Sequence, residues 1–303
     1  MKTILSFSLC LCFFPLSAQI TRQNNAIRIG DEIIKQQVVY KDPGRSGENV
    51  LWDFSKLSAV NPEYILSYKE PYTIKDSINI MGNDTVYLKR EDNHNELFQG
   101  IEHYTSYYYR IKNDTLYCMG HENPTTLLHY RNPLPAMPYP FGYGQKTARS
   151  YTAGGLYSSS DSILSYGNIS IEFDALGKMI LPSRDTLEHV MRIKKVQTIK
   201  RDSISRIGQD VMNTVVETCQ WYSKGYRYPV FETVKTIDLK DGENKVFFTT
   251  AFFYPPQEHY YLEDDEENLA VLDSLASGNA NTGGEEIDPQ QWLKDNFMYN
   301  FYP

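Results

Sequence analysis

The stretch from Leu181 to Val196 decides whether this chain folds as a mixed or an all-β protein. A helix is one interpretation, because Asp185 and Glu188 have the spacing of a capping box and apolar residues follow at helical intervals. That apolar face ends one turn later, where Lys194 and Lys195 are adjacent. The helical pattern therefore does not extend along the whole segment.

Alternation favours strands instead. Ile169, Ile171 and Phe173 alternate with polar residues, and Asp174–Gly177 has the composition of a turn. A second turn is predicted at residues 182–186. Leu187, His189, Met191 and Ile193 then fall on one face, and a bulge at Lys194–Lys195 would explain the change of phase that follows.

The rest of the chain also indicates β structure. Short β-prone runs separated by Asn, Asp and Gly occur throughout residues 19–257, and NPLPAMPYPFGY, residues 132–143, has too many prolines for a central strand. We expect an all-β fold with few short helices. Its architecture would be an antiparallel meander forming a curved sheet, a sandwich or an incomplete barrel, in a single body over residues 19–257.

The N-terminus has the pattern of a secretory signal peptide over residues 1–18. Lys2 precedes an apolar run from Thr3 to Leu16, and cleavage is predicted between Ala18 and Gln19. Cys10 and Cys12 lie inside the run and do not have the context of a lipid-attachment site. No later stretch is apolar enough to span a bilayer. The sequence predicts an exported protein in the periplasm, on the outer surface or outside the cell.

Charge is concentrated near the C-terminus. The net charge is −8, and Leu262–Asp288 carries nine acidic residues and no basic one, so the remainder is nearly neutral. The absence of a basic stripe argues against nucleic-acid partners. Residues 258–289 are predicted to be an acidic flexible linker, which precedes an aromatic segment at residues 290–303.

Three pieces of the chain carry a family resemblance. They are GENVLWDFS (residues 47–55), GKMILPSRDTLEHVMRIKKV (residues 177–196) and QWYSKGYRYPV (residues 220–230). Together they resemble a pattern in uncharacterised exported all-β proteins of one Gram-negative phylum. The resemblance implies export and a strand over Leu187–Ile199 in an antiparallel meander, but it implies no reaction. The final Asn-Phe-Tyr-Pro also resembles the start of a type IX secretion sorting domain, of which it would be a vestige.

No catalytic, cofactor-binding or metal-binding residues are predicted. Cys118, His121 and His129 have the nearest approach to metal-ligand spacing, but no second compact pair accompanies them. Nucleophile-elbow and phosphate-loop motifs do not occur. The mature chain would keep Cys118 and Cys219, and an exported chain with two cysteines can form one disulfide.

Two further groups of residues are candidate sites. The first is a tyrosine-rich region that could form an aromatic face for glycans, although β-propensity alone also explains it; its members are Tyr104, Tyr107, Tyr109 and Tyr117. The second is a repeated Asp-Ser/Thr-aliphatic tripeptide, which resembles an O-glycosylation acceptor and is also good turn chemistry. Its hydroxyl residues are Ser77, Thr85, Thr115, Ser162, Thr186, Ser203 and Ser274.

These features favour a non-catalytic binding or envelope-surface module, with a glycan or an envelope protein as its partner. Two alternatives stay open at this point: a hydrolase acting on surface glycans, and a carrier of an apolar ligand. An enclosed cavity would favour the carrier, facing carboxylates across a cleft would favour the hydrolase, and a flat tyrosine face would favour glycan binding.

Overall fold

The computed structural model describes residues 18–71, 73–74, 77–79, 85–86, 96–158, 161–203, 211–240 and 243–280. The predicted signal peptide up to residue 17 and the predicted aromatic segment at 290–303 lie outside these ranges. Within them the chain is mostly strand, which confirms the all-β prediction.

The strands are β1 Gln19–Ile20, β2 Glu32–Val38, β3 Gly47–Asp53, β4 Tyr64–Lys69, β5 Thr73–Ile74, β6 Ser77–Asn79, β7 Thr85–Val86, β8 Glu96–Glu102, β9 Thr105–Lys112, β10 Thr115–Glu122, β11 Thr126–Pro138, β12 Phe141–Gly142, β13 Lys146–Tyr157, β14 Asp161–Ile180, β15 Thr186–Ser203, β16 Val211–Tyr222, β17 Phe231–Lys240 and β18 Glu243–Phe253. The helices are α1 Arg22–Asn25 and α2 Glu266–Ala280, with two 3₁₀ turns at Pro256–Glu258 and Tyr260–Asp264.

Twelve strands form an antiparallel sheet that closes into a barrel-like ring. Their order is β13, β11, β10, β9, β8, β4, β2, β18, β17, β16, β15 and β14, and β14 closes the ring by pairing with β13. Beyond the end of β13, the parallel strand β3 pairs with the same edge of β14. Of the three predicted architectures, the structure is nearest to a barrel, and its ring is complete.

Side chains alternate between the inside and the outside of this ring. The inner core includes Ile171, Phe173 and Ile193, which are completely buried. An outer core lies where β3 covers the wall, and Trp221 and Phe231 are completely buried there. The wall therefore has an apolar layer on each of its two faces in this region.

Residues 186–196, part of the stretch that could have been a helix or a strand, lie in the strand β15 and confirm the strand prediction. Two details of the prediction are wrong. β14 runs on to Ile180 without a turn at Asp174–Gly177; the pairing with β15 only shifts register after Phe173 and after Gly177. The irregular residue in β15 is His189, whose φ is +54°, and Lys194–Lys195 continue the regular alternation. Lys195 therefore lies on the inner face of the wall with Met191 and Ile193.

The three pieces that carry the family resemblance meet in the outer core. Trp52 and Phe54 from the first piece pack edge-on to Trp221 of the third, with ring centroids 5.9 and 5.5 Å apart. Arg192 of the second piece lies near both tryptophan rings and forms a paired hydrogen bond with Asp174, at 2.8 and 2.7 Å. These pieces hold β3 to the wall, so their shared role in this chain is packing.

Gly177 shows why the second piece begins with glycine. A Cβ atom built at this position would lie 1.8 Å from the carbonyl oxygen of Val50 on β3. Since atoms cannot approach so closely, only glycine allows the parallel strand to pair at this point.

The acidic segment after the ring is folded as far as the structure describes it, although its composition indicated a flexible linker from residue 258. Asp265 and Asn268 are buried, and Leu272 of α2 packs in the outer core. The physical reason is Arg227, which binds both carboxylate oxygens of Asp265 at 2.7 and 2.6 Å and donates to the carbonyl of Ala26 at 3.0 Å. This arginine joins α1, the β16–β17 loop and α2.

The helices lie at one end of the ring. Arg22 of α1 binds Asp114 in the β9–β10 turn at 3.3 Å, and Gln257 binds Asp185 in the β14–β15 turn at 2.5 Å. Because strand direction alternates around the ring, β15 starts at this helical end and its last residue, Ser203, lies at the opposite end. Among the described helices, none is long and apolar enough to cross a membrane.

Candidate ligand-binding cavity

The inner face of β15 borders a cavity inside the ring. Alternation directs Lys195, Gln197, Ile199 and Arg201 inward, and all four line a space of about 510 Å³. Its other walls come from β9, β10, β11, β13, β14 and β16, and they are mainly aromatic and aliphatic. A volume of this size falls within the range of small-molecule sites.

Lys195 lies between this cavity and a smaller one of about 160 Å³ toward the helices, since it lines both. Arg201 lines only the larger cavity, six residues further toward the opposite end. At about 3.3 Å per residue, the Cα atoms of Lys195 and Arg201 are about 20 Å apart along the strand. The residues that line the cavity therefore span about this length of β15.

A chain of polar contacts fixes the inner end of the cavity. Lys35 is only 3% exposed and binds Glu102 at 2.7 Å, with Glu232 at 3.9 Å. Glu232 accepts a hydrogen bond of 2.6 Å from the amide nitrogen of Gln220. The amide oxygen of Gln220 must then point the other way, and it accepts from Lys195 at 2.8 Å.

Among the described residues, Lys195 is the lysine of this network that has no direct contact with a carboxylate. Both nearby carboxylates bind Lys35, and the hydrogen bond that the structure gives to the Lys195 ammonium goes to a neutral amide. Burial lowers the pKa of Lys195 to about 8, against a smaller opposing effect of Glu232. The group is still mainly protonated at pH 7, so it places a positive charge at the inner end of the cavity.

The opposite part of the cavity holds a second cation. The Nε of Arg201 is buried and has no hydrogen-bond partner among the described residues. His121 also lines the cavity, and burial together with the charge of Arg201 lowers its pKa to about 4. The imidazole is therefore neutral at pH 7 and adds no further positive charge.

Aromatic rings form much of the wall between these cations. Tyr107 and Tyr109 are stacked with centroids 6.4 Å apart, and Tyr130 and Tyr151 meet edge-on at 5.5 Å. Burial raises the pKa of all four hydroxyls, so they are neutral hydrogen-bonding groups. Such rings offer apolar surface together with a polar tip.

The predicted tyrosine face is divided by the fold. Tyr107 and Tyr109 point into the cavity. Tyr117 packs on the outer side against Tyr108 and its neighbours, and Tyr104 is 82% exposed at the β8–β9 turn. The four residues therefore do not form one flat surface for a glycan, because alternation in β9 and β10 sends them to different sides.

The predicted Cys118–Cys219 disulfide is not formed, and both cysteines are free thiols. Cys118 lines the cavity inside the ring, whereas Cys219 lies in the outer core. Since the wall separates them, they cannot be joined without rebuilding it. Burial raises the pKa of Cys118 to about 12 and of Cys219 to about 11, so neither is a ready nucleophile.

The histidines and the other predicted sites fall elsewhere. The described residues contain no group of three metal-ligating side chains, and His129 is not among the residues lining the cavity with Cys118 and His121. Among the predicted glycosylation residues, Thr115, Ser162 and Thr186 begin strands next to hairpin turns, and Ser274 lies within α2. The side chains of Ser77, Thr85 and Ser203 lie outside the described set.

The cavity residues on β15 were missed by the sequence analysis, which attributed Lys194–Lys195 to a bulge. The available signal was that Lys195, Gln197, Ile199 and Arg201 continue the alternation of Met191 and Ile193. Comparisons with protein-family models, with curated proteins and with solved structures find no match.

Proposed function

We propose that this chain is an exported, non-catalytic binding protein that holds a small molecule inside its ring. The observation that carries the proposal is the cavity of about 510 Å³, which is lined by strand side chains that include four tyrosines and two cations. This combines the predicted binding module with the predicted ligand carrier. The lining is not purely apolar, so the ligand should have both an apolar body and a polar group.

Export is proposed from the signal-peptide pattern of residues 1–18. Ile20, two residues after the proposed cleavage site, is completely buried, and β1 pairs with β12. A mature chain that began at Gln19 would keep both contacts. A periplasmic or extracellular location would give the cavity access to small molecules outside the cytoplasm.

The hydrolase alternative has weaker support. Glu102 and Glu232 are near each other, but the ammonium of Lys35 contacts both of them. They line the smaller cavity of about 160 Å³, which is below the usual size of a ligand site. A glycosidase needs its two carboxyl groups on opposite sides of a sugar bond, and here a lysine occupies that position.

Binding can be tested with an environment-sensitive apolar dye and a variant that fills the cavity. Thr218 on β16 lines the cavity, so Thr218→Trp should reduce dye affinity at least tenfold. Val215→Trp is the matched control, because Val215 lies on the same strand and faces outward. Equal dye binding by both variants, or no dye binding by the wild-type chain, would refute the proposal.

A further inference from the structure

We infer that the ligand is an amphipathic organic acid whose carboxylate binds the ammonium of Lys195. The inference rests on the proposed function and adds the chemical class of the ligand and its orientation. It assigns the acid group to the inner end of the cavity and the apolar body to the space that extends along β15 toward Arg201.

The charge of the lining is the first step. The residues around the larger cavity include Lys195 and Arg201 but no aspartate or glutamate. A cavity with cations and no carboxylate attracts anions, and its aromatic and aliphatic walls exclude strongly hydrated ones. An acid group on an apolar body meets both conditions.

The second step places the acid at Lys195. The groups that face this ammonium are Gln220, Glu232 and Cys118, from β16, β17 and β10. Gln220 is neutral, the Cys118 thiol is protonated, and Glu232 already accepts from Gln220 and lies 3.9 Å from Lys35. An ammonium has three donors, and the structure assigns one of them, to Gln220.

The energetic consequence favours a carboxylate over a neutral group. A buried ammonium without a direct carboxylate contact is costly, and a bound carboxylate would reduce that cost while forming a charge-assisted hydrogen bond. The Cα atom of the second cationic residue, Arg201, is about 20 Å further along the strand. One ammonium at the inner end suits a singly charged acid better than a phosphate, which is commonly held by several donors.

The third step is the path of the apolar body. Between Lys195 and Arg201 the cavity is bordered by Ile199 on β15, Ile169 on β14 and Val216 on β16, opposite the tyrosines of β9 and β11. These side chains provide apolar contact along the direction of the strand. The ligand would therefore lie parallel to β15 with its acid group toward the helical end of the ring.

The experiment compares ligands that differ only in their polar group. Dodecanoate, dodecanol and dodecylamine are measured by displacement of the apolar dye, together with 2-naphthoate and 2-naphthol. We expect the wild-type chain to bind at least one acid ten or more times more tightly than its matching alcohol, and to bind the amine most weakly. Lys195→Met should reduce this preference to about twofold or less, mainly by weakening the binding of the acids.

Lys194→Met is the matched control, because Lys194 is adjacent to Lys195 on the same strand and faces outward. The preference for acid over alcohol should persist in this variant. Arg201→Met tests the orientation and should keep most of the preference. Equal binding of acid and alcohol by the wild-type chain, or failure of both acids to displace a bound dye, would overturn the inference while leaving the proposed function intact. Loss of the preference in Arg201→Met instead of Lys195→Met would overturn the orientation. A dye that does not bind at all would refute the proposed function itself.

Discussion

Lys195 donates a hydrogen bond of 2.8 Å to the amide oxygen of Gln220. This contact lies inside the ring that backbone pairing closes. Gln220 is held in this orientation because its amide nitrogen donates to Glu232. A charged side chain is thus fixed in the interior by a hydrogen bond to a neutral amide, without a direct carboxylate contact. Such an arrangement costs folding free energy, and it is typical of sites kept for binding.

Replacing this lysine should make the protein more stable. The pKa of Lys195 is about 8 when folded and near 10.5 when unfolded, so the folded state binds fewer protons between these values. Wild-type stability should therefore rise as pH increases from 8 to 10.5. A pKa shift of one unit corresponds to about 1.4 kcal/mol, and the substitution also removes a hydrogen bond. The free energy of unfolding of Lys195→Met should therefore exceed that of the wild type by about 1–3 kcal/mol at pH 7.

Denaturant unfolding of the ligand-free protein at pH 7 and pH 10 tests this prediction. The advantage of Lys195→Met should shrink at pH 10, and Lys194→Met should change stability by less than about 0.5 kcal/mol at either pH. A destabilised Lys195→Met at pH 7 would show that the ammonium contributes more by its contacts than it costs by burial.

The buried pair of Arg227 and Asp265 should be essential for the folded helical end. Both side chains are almost completely buried, at 3% and 0% exposure. Asp265→Asn would leave the buried guanidinium with only the partly exposed Glu267 as its counter-ion and should cost about 3–5 kcal/mol. Glu267→Gln is the control, since Glu267 is 42% exposed and lies 3.5 Å from Arg227, and its loss should cost less than about 0.5 kcal/mol. A loss below about 1 kcal/mol in Asp265→Asn would contradict the assigned role.

His259 should make the fold sensitive to acid. Its Nε2 is buried without a hydrogen-bond partner among the described residues, its Nδ1 lies 3.0 Å from the hydroxyl of Tyr261, and burial lowers its pKa to about 3. The unfolded state binds the proton first, so stability should fall as pH drops below about 6.5.

Because of this histidine, the free energy of unfolding should fall by an amount that approaches about 1.4 kcal/mol per pH unit between pH 6 and pH 4. His259→Gln, which can still accept a hydrogen bond from Tyr261, should reduce that slope. His103→Gln at the exposed β8–β9 turn should leave it unchanged. Identical slopes for wild type and His259→Gln, measured by urea unfolding across this range, would rule the prediction out.

The two cysteines should remain free after export. Cys118 and Cys219 lie on opposite sides of the wall, so oxidising conditions should not join them. Thiol titration of the denatured mature protein should give two thiols per chain, and reduction should leave its mass and melting temperature unchanged. A mass two hydrogens lower than that of the reduced chain would indicate a disulfide and contradict the placement.

Covalent glycosylation is expected at the hairpin turns. Thr115, Ser162 and Thr186 follow aspartates beside turns, where a sugar would not disturb the strands. Protein from its native host should exceed the sequence mass by sugar increments, and changing these three residues to Ala should remove most of the excess. The matched change Ser274→Ala, within α2, should remove less. An unmodified native mass would leave turn formation as the explanation of the motif.

The fold class followed from local patterns. Alternation in residues 169–173 and the turn predicted at residues 182–186 were sufficient to predict strands, because alternation places apolar side chains on one face of a strand. The segment at 132–143 was expected not to be a central strand, but residues 132–138 belong to β11, which lies between β10 and β13 in the ring. Its prolines are tolerated there because β11 pairs with β13 only through residues 126–130.

The cavity and the helical end depended on contacts that a local pattern does not contain. Lys195 interrupts an apolar face, and only the closure of the ring shows that this face borders a cavity. Asp265 is part of an acidic run, and its charge is neutralised by Arg227, which lies 38 residues earlier. Composition therefore indicated a solvated linker where long-range pairing holds a helix against the ring, with Asn268 and Leu272 buried.

Mass measurement of the mature protein purified from its native host, first under non-denaturing and then under denaturing conditions, tests the central claim most directly. Covalent sugars persist in both measurements, so the difference isolates a non-covalent ligand. We predict that the native mass exceeds the denatured mass by one small organic acid per chain and that Thr218→Trp lacks this excess. Equal native and denatured masses, together with no dye binding by the wild-type chain, would contradict a ligand-binding role for the ring.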